Sequence, residues 1–236
     1  MKMALINYHF KNFIRSYKWI GPLIIFLILV VILYTYSGQP ILSSFASTSM
    51  LLLFISAWIT VIIFDIDSIK EKQLLFTQLK SKKNYLTSKL LFSFIIILPL
   101  GLWAVIYPII TFKFEHSPKL IEVLIGIYSH IIIIALGVIM TTLIKSLTKV
   151  SDKLIWLFIV LMFLISMLRR ILIQSFPILK YILWIFPPVS DFLNILNKSL
   201  ADVLSFSFLL INFWMIGYLI VMLIFLYIIF NKSEYM

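Results

Sequence analysis

The sequence predicts an all-α membrane protein with six transmembrane helices, on three observations. Hydrophobic residues make up 63% of the 236 and charged residues 12%, against about 45–50% and about 25% in an ordinary soluble domain. Several runs reach about 18 nearly uncharged apolar residues, the length that crosses roughly 30 Å of hydrocarbon at 1.5 Å per residue. Lys and Arg gather in the short segments between those runs, where they set topology and meet lipid headgroups.

The whole chain, 1–236, reads as one transmembrane domain. Its opening, "MKMALINYHFKNFIRSYKW", is basic and amphipathic and precedes a run with no small-residue cleavage site, so it reads as an interfacial helix before a retained first span. The spans are expected at about Trp19 to Tyr36, Phe45 to Phe64, Leu90 to Phe112, Leu120 to Ile144, Leu154 to Ile173 and Ser207 to Phe230. Pro99 and Pro108 are expected to kink the third. Between the fifth and sixth, "FPILKYILWIFPP" and "SDFLNILNKSLADVLSF" are too short or too polar to span and read as re-entrant or interfacial helices.

Orientation follows from counting basic residues. Lys2, Lys11, Arg15, Lys18, Lys70, Lys72, Lys80, Lys82, Lys83, Lys89, Lys145, Lys149, Lys153 and Lys232 fall on one side. Lys113, Lys119, Arg169, Arg170, Lys180 and Lys198 fall on the other. The excess predicts a multi-pass protein of the plasma membrane with both termini cytoplasmic. The net charge of +11 is thereby topological, and nucleic acid is not expected as a partner. With no cysteine, disulfides and thiolate chemistry are excluded.

The longest polar run, "FDIDSIKEKQLLFTQLKSKKNYLTSK", separates spans two and three. It has no Gly or Pro, and its Lys, Gln, Leu and Glu favour helix. Ile66, Ile69, Phe76 and Leu79 fall on one side at 100° per residue, Leu74 falls off that stripe, and acids Asp65, Asp67 and Glu71 lead while lysines trail. Two readings stand: a positive-inside loop that fixes topology, or an amphipathic helix along the inner membrane surface that docks a soluble partner.

This arrangement of six spans, basic N-terminal helix, acid-led helix after span two and short helices before span six resembles the permease subunit of type 2 ABC exporters. The resemblance covers the chain in architecture and a few residues in motif: Glu71 as the acid opening the coupling helix, Thr77 as its usual Thr, and Lys89 as the Lys before span three. The family's Gly before that Thr and its Pro near the helix end are absent. Size and composition look most like small permeases for peptides, including lantibiotic-immunity and amphipathic-toxin exporters. The resemblance implies a separate ABC ATPase subunit that carries ATP and magnesium, a second permease copy or paralogue, the lipid membrane, and an amphipathic peptide substrate. Coupling to the ATPase would run through Ile66, Ile69, Glu71, Phe76, Thr77, Leu79 and Lys83.

Catalysis on this chain is not expected. The six glycines form no phosphate-cradling G-x-x-x-x-G-K-[ST] loop, and His9, His116 and His130 occur singly, outside any H-E-x-x-H. No cofactor or metal is expected on it. His130, inside span four, is expected to bond across helices, and Glu122 to be solvated at the outer interface. Arg169 and Arg170 are read as outer-face contacts for substrate or lipid, or as interfacial anchors; Asp191 as a further contact, or as a helix cap. Ser43, Ser44, Ser47, Thr48, Ser49 and Asn212 are read as packing groups or as substrate contacts. A stand-alone immunity or sensor protein that binds a membrane-active peptide is the alternative function.

Overall fold

The computed structural model describes residues 2–79, 81–147 and 152–232. Lys80 and Lys149, both used in the topology count, lie outside them, as do the other residues of 148–151 between spans four and five. The elements are α1 (Lys2–Ser16), α2 (Ile20–Leu33), α3 (Ile41–Asp65), α4 (Ile69–Gln78), α5 (Lys82–Ile110), α6 (Leu120–Leu147), α7 (Asp152–Ser175), a 3-10 turn (Pro177–Leu179), α8 (Lys180–Leu183), α9 (Val189–Leu196), α10 (Leu200–Val203) and α11 (Phe206–Lys232). Five helices, α3, α5, α6, α7 and α11, are long and apolar enough to cross a membrane.

The first expected span departs from that pattern. α2 has 14 residues and reaches about 21 Å, short of the hydrocarbon thickness of roughly 30 Å. Together with α1 it passes the length test, but the pair is bent by 80°, so among the described residues five helices, or six if the bent pair is one span, are long and apolar enough to cross a membrane. The elbow is Tyr17, at φ +55°, a left-handed conformation that stops the α-helical ladder. Trp19 Nε1 donates to Ile14 O at 3.3 Å and its ring stacks on Phe13, which ties the elbow closed.

The bundle is centred on α3, whose apolar window is 72% buried, against 22% for α7 and for α11. α3 packs most extensively on α6, and two apolar cores meet there: one gathers α7, α9 and α11, the other α1, α2, α4 and α5. Between helices in lipid the apolar contrast is weak, so close backbone approach and small side chains decide the packing. α3 supplies Ser44, Thr48, Ser56 and Thr60, all buried, each hydroxyl donating to a carbonyl of its own helix three or four residues back. α6 supplies Gly126 and Gly137. A Cβ at Gly137 would sit 1.8 Å from Ser56 Oγ, and one at Gly126 would sit 2.7 Å from the Phe45 ring.

The helices alternate between two ends. At one end a short pairing of Gln39 with Phe114 joins the α2–α3 and α5–α6 connections, with the short helices α8 to α10 packed nearby on α7, α3 and α11. α4 caps the other end. Helix α5 runs unbroken from Lys82 past Pro99 and Pro108, eight residues further toward α4 than the expected span.

Candidate functional site

The α4 end is built on local capping. Ser68 and Glu71 form a reciprocal capping box: Ser68 N donates to Glu71 Oε2 at 2.6 Å and Glu71 N donates to Ser68 Oγ at 3.3 Å. This satisfies two backbone donors at the helix start. Glu71, the acid named from the resemblance, therefore has a local task at the helix entrance. The helix ends at Gln78, and Ser81 Oγ accepts from Lys83 N at 3.2 Å to open α5. The polar run is thus two helices, one ending at Gln78 and the next starting at Lys82, and Lys83 lies on the first turn of α5, not on α4.

The apolar stripe faces the protein rather than the membrane surface. Phe76 meets Tyr85 edge-on at 5.2 Å and Phe230 at 6.4 Å, Leu79 is buried, and Ile66 packs on the same core. Ile69 begins the helix. The open face carries Lys70, Glu71, Gln73, Leu74 and Thr77; Leu74, the apolar residue off the predicted stripe, is 58% exposed. Thr77 Oγ1 donates back to Leu74 O at 2.7 Å.

Beneath α4 lies a buried polar cluster that joins three elements. Lys89 Nζ on α5 is 2.8 Å from Asp67 Oδ2 and donates to Ile63 O, the end of α3, at 2.6 Å. Tyr85 OH donates to the same Asp67 oxygen at 2.8 Å. Lys89 and Asp67 are 1% and 3% exposed. A buried charge persists only when paired and hydrogen-bonded, and here both conditions hold. His9 of α1 lies alongside, its Nε2 3.1 Å from Ser88 Oγ. Burial first, and the Lys89 charge second, push its pKa down to about 3. A second ion pair, Lys145 with Asp65, fixes the foot of α6 to the end of α3. The sequence contained a cue to the buried pair: Lys89 interrupts an apolar, hydroxyl-rich stretch at the start of span three, and an isolated Lys there needs a partner.

At the opposite end the structure brings Arg169 and Asp191 together as an ion pair, with Arg169 Nε donating to Leu183 O at 3.1 Å. Asp191 occupies the first turn of α9, but no side chain caps that helix; its oxygen serves Arg169. Arg170 meets α9 through its backbone N, which donates to Ser190 Oγ at 3.2 Å. Arg169 and Asp191 line a 420 Å³ pocket with Trp184, Trp214 and Tyr218. A second recess, of 680 Å³, lies between the α3 start, the 113–119 hairpin and the α9–α10 turn, and includes Ser43, Glu115, His116 and Lys198. Glu122 borders it but is only 6% exposed and accepts from Lys119 N at 2.8 Å. The expected solvated carboxylate is instead a buried cap of α6.

In the bundle interior His130 does bond across helices: its Nε2 is 3.0 Å from Thr48 Oγ1 while Nδ1 lies 2.7 Å from Gly126 O. Ser49 and Ser129 approach to 3.3 Å. Tyr128 OH donates to Asn212 Oδ1 at 2.8 Å, so Asn212 pairs α11 with α6. Ser44, Thr48 and Ser49 are packing groups; Ser47 is exposed. Among the described residues no group of three or more His, Cys, Asp or Glu is placed to hold a metal ion. Compared with family models, curated proteins and solved structures, the chain matches none of them.

Proposed function

We propose that this chain is the permease subunit of an ATP-driven exporter. It would pair with a second copy or a paralogue, recruit a separate ATPase that carries ATP and magnesium, and move an amphipathic or hydrophobic peptide out of the cell or its membrane. In this reading the α4 end and both termini are cytoplasmic, the membrane is the plasma membrane, and the short helices α8 to α10 close the outer face.

The observation that carries the proposal is the construction of α4. Its inner residues Phe76 and Leu79 are clamped to the bundle, its outer face of Lys70, Gln73, Leu74 and Thr77 is open, and its root is bound to α3 and α5 through Asp67 and Lys89. A topology loop needs none of these. A helix gripped by a motor needs all three, because force on it is transmitted only if its root is rigid.

The alternative, a stand-alone immunity or sensor protein, draws on the polar 680 Å³ recess at the opposite end. A single experiment separates the two. The full chain is co-expressed with the ATPase encoded beside it and purified, as wild type and as Leu74→Glu with Lys70→Glu. The exporter reading expects a stable complex that the double variant loses while the permease remains folded. Absence of a neighbouring ATPase, or a complex indifferent to both changes, overturns it.

A further inference from the structure

The pocket around Arg169 and Asp191 has a composition that the transport reading does not require. We infer that it is a binding site for the headgroup of a phospholipid bearing both a phosphate and a primary ammonium group, of the phosphatidylethanolamine type. The inference stands whether or not the chain transports anything.

Depth is the first support. Arg169 lies six residues before the end of α7 at Ser175, and Trp214 eight residues after the start of α11 at Phe206, so both sit about 9–12 Å inside the helix ends. For helices of 24 and 27 residues centred on about 30 Å of hydrocarbon, that is about 6–7 Å below the boundary between headgroups and acyl chains, a depth from which a long basic side chain snorkels toward a headgroup. Sequence neighbours of the lining residues are apolar and exposed: Ile182, Ile185, Leu210 and Phe213 are 59%, 60%, 48% and 72% exposed. In a bilayer exposed apolar side chains of this kind meet acyl chains.

Charge is the second. Arg169 spends Nε on Leu183 O and Nη1 on Asp191; Nη2 and Asp191 Oδ1 have no partner among the described residues. A guanidinium presents a fork to phosphate oxygens. A simple anion meeting it here would also meet the Asp191 carboxylate, and a simple cation would meet the guanidinium. A headgroup with both charges places phosphate on Arg169 and its ammonium on Asp191, leaving no charge unmatched. The rings of Trp184, Trp214 and Tyr218 wall the same space and favour a cation over their faces. The volume, 420 Å³, lies in the range of small-ligand sites. A primary ammonium can donate hydrogen bonds to Asp191; a quaternary one cannot. This separates ethanolamine from choline headgroups.

The test is native mass spectrometry of the full chain released from nanodiscs containing equal parts phosphatidylethanolamine, phosphatidylcholine and phosphatidylglycerol. Parallel samples in lipid-free detergent receive free phosphoethanolamine, inorganic phosphate or an amphipathic cationic peptide. The expected result is phosphatidylethanolamine retained roughly fivefold or more over each other lipid. That preference should fall to parity in Arg169→Gln and Asp191→Asn. Trp214→Ala, which leaves the ion pair intact, should lose it too and decides the matter if a charge variant fails to fold. Equal retention of the three lipids overturns the inference, as do preference for phosphatidylglycerol, preference unchanged in Trp214→Ala, and binding of peptide or inorganic phosphate as strong as that of phosphoethanolamine in the lipid-free samples.

Discussion

Lys89 Nζ lies 2.8 Å from Asp67 Oδ2 and 2.6 Å from the carbonyl oxygen of Ile63, so one ammonium joins the end of α3, the root of α4 and the start of α5. Its removal strands a buried carboxylate, and removal of Asp67 strands a buried ammonium. Breaking such a pair from one side costs about 3–5 kcal/mol, whereas replacing both partners with apolar residues is often close to neutral. Lys89→Met and Asp67→Leu are each expected to lower the unfolding temperature in detergent sharply, and the double variant to recover most of the loss. Equal damage from the double variant would mean that the pair is not the unit holding this junction.

His9 predicts how the same junction responds to acid. Its pKa is depressed to about 3 from the ordinary 6.5 by burial and by the Lys89 charge, against a smaller opposing pull from Asp67. A histidine whose folded pKa lies below its unfolded value stabilises the fold fully above about pH 6.5 and progressively less as pH falls from there toward 3. At pH 5 the loss is about 2 kcal/mol, at 1.36 kcal/mol per unit. Protection of α1 amides from hydrogen exchange, corrected for the intrinsic pH dependence of exchange, should therefore fall between pH 6.5 and 5 in the wild type. His9→Gln should flatten that dependence. An identical slope in both would place the pH response elsewhere.

The α3–α6 contact predicts a steric failure. Gly137 offers no room for a methyl group: Ser56 Oγ stands 1.8 Å from where a Cβ would be, and Leu53 O 3.2 Å. Gly137→Ala is expected to destabilise by about 1–3 kcal/mol, the usual cost of overpacking. Adding Ser56→Ala removes the nearer atom but leaves Ser56 Cβ at 3.0 Å, so it should recover only part. Thermal unfolding of the two variants beside the wild type reads this directly, and an undisturbed Gly137→Ala would show that the two helices can separate freely.

Much of this architecture is legible in run lengths. Helices α3, α5, α6, α7 and α11 follow from stretches too long and apolar for anything but a bilayer, and Pro187 and Pro188 announce the break before α9. The bend ahead of α2 is not legible, because composition counts apolar residues and is blind to Tyr17, whose φ of +55° falls at the 80° turn between α1 and α2. The end of α4 at Gln78 and the start of α5 at Lys82 are equally invisible, since no Gly or Pro marks them; Leu79 is buried and Ser81 caps α5. Helical periodicity found the apolar stripe of α4 but not what covers it, because facing partners such as Phe230 come from the far end of the chain. Glu122 was misplaced for a similar reason: proximity to an interface does not reveal that a carboxylate caps its own helix.

The two faces of α4 give the last prediction. Phe76 is wedged against Tyr85 and Phe230, so Phe76→Ala opens a cavity and is expected to cost about 3–5 kcal/mol. It should weaken motor coupling only by loosening the helix. Thr77 is exposed and, among the described residues, its hydroxyl bonds only within its own helix, to Leu74 O, so Thr77→Arg should change stability by no more than about 0.5 kcal/mol. If α4 is where a motor engages, Thr77→Arg should abolish stimulation of nucleotide hydrolysis by the permease at unchanged melting temperature. Phe76→Ala should lower both together. Stimulation that tracks melting temperature in both variants would make α4 a structural brace, and a motor would then have to grip elsewhere on this end of the bundle.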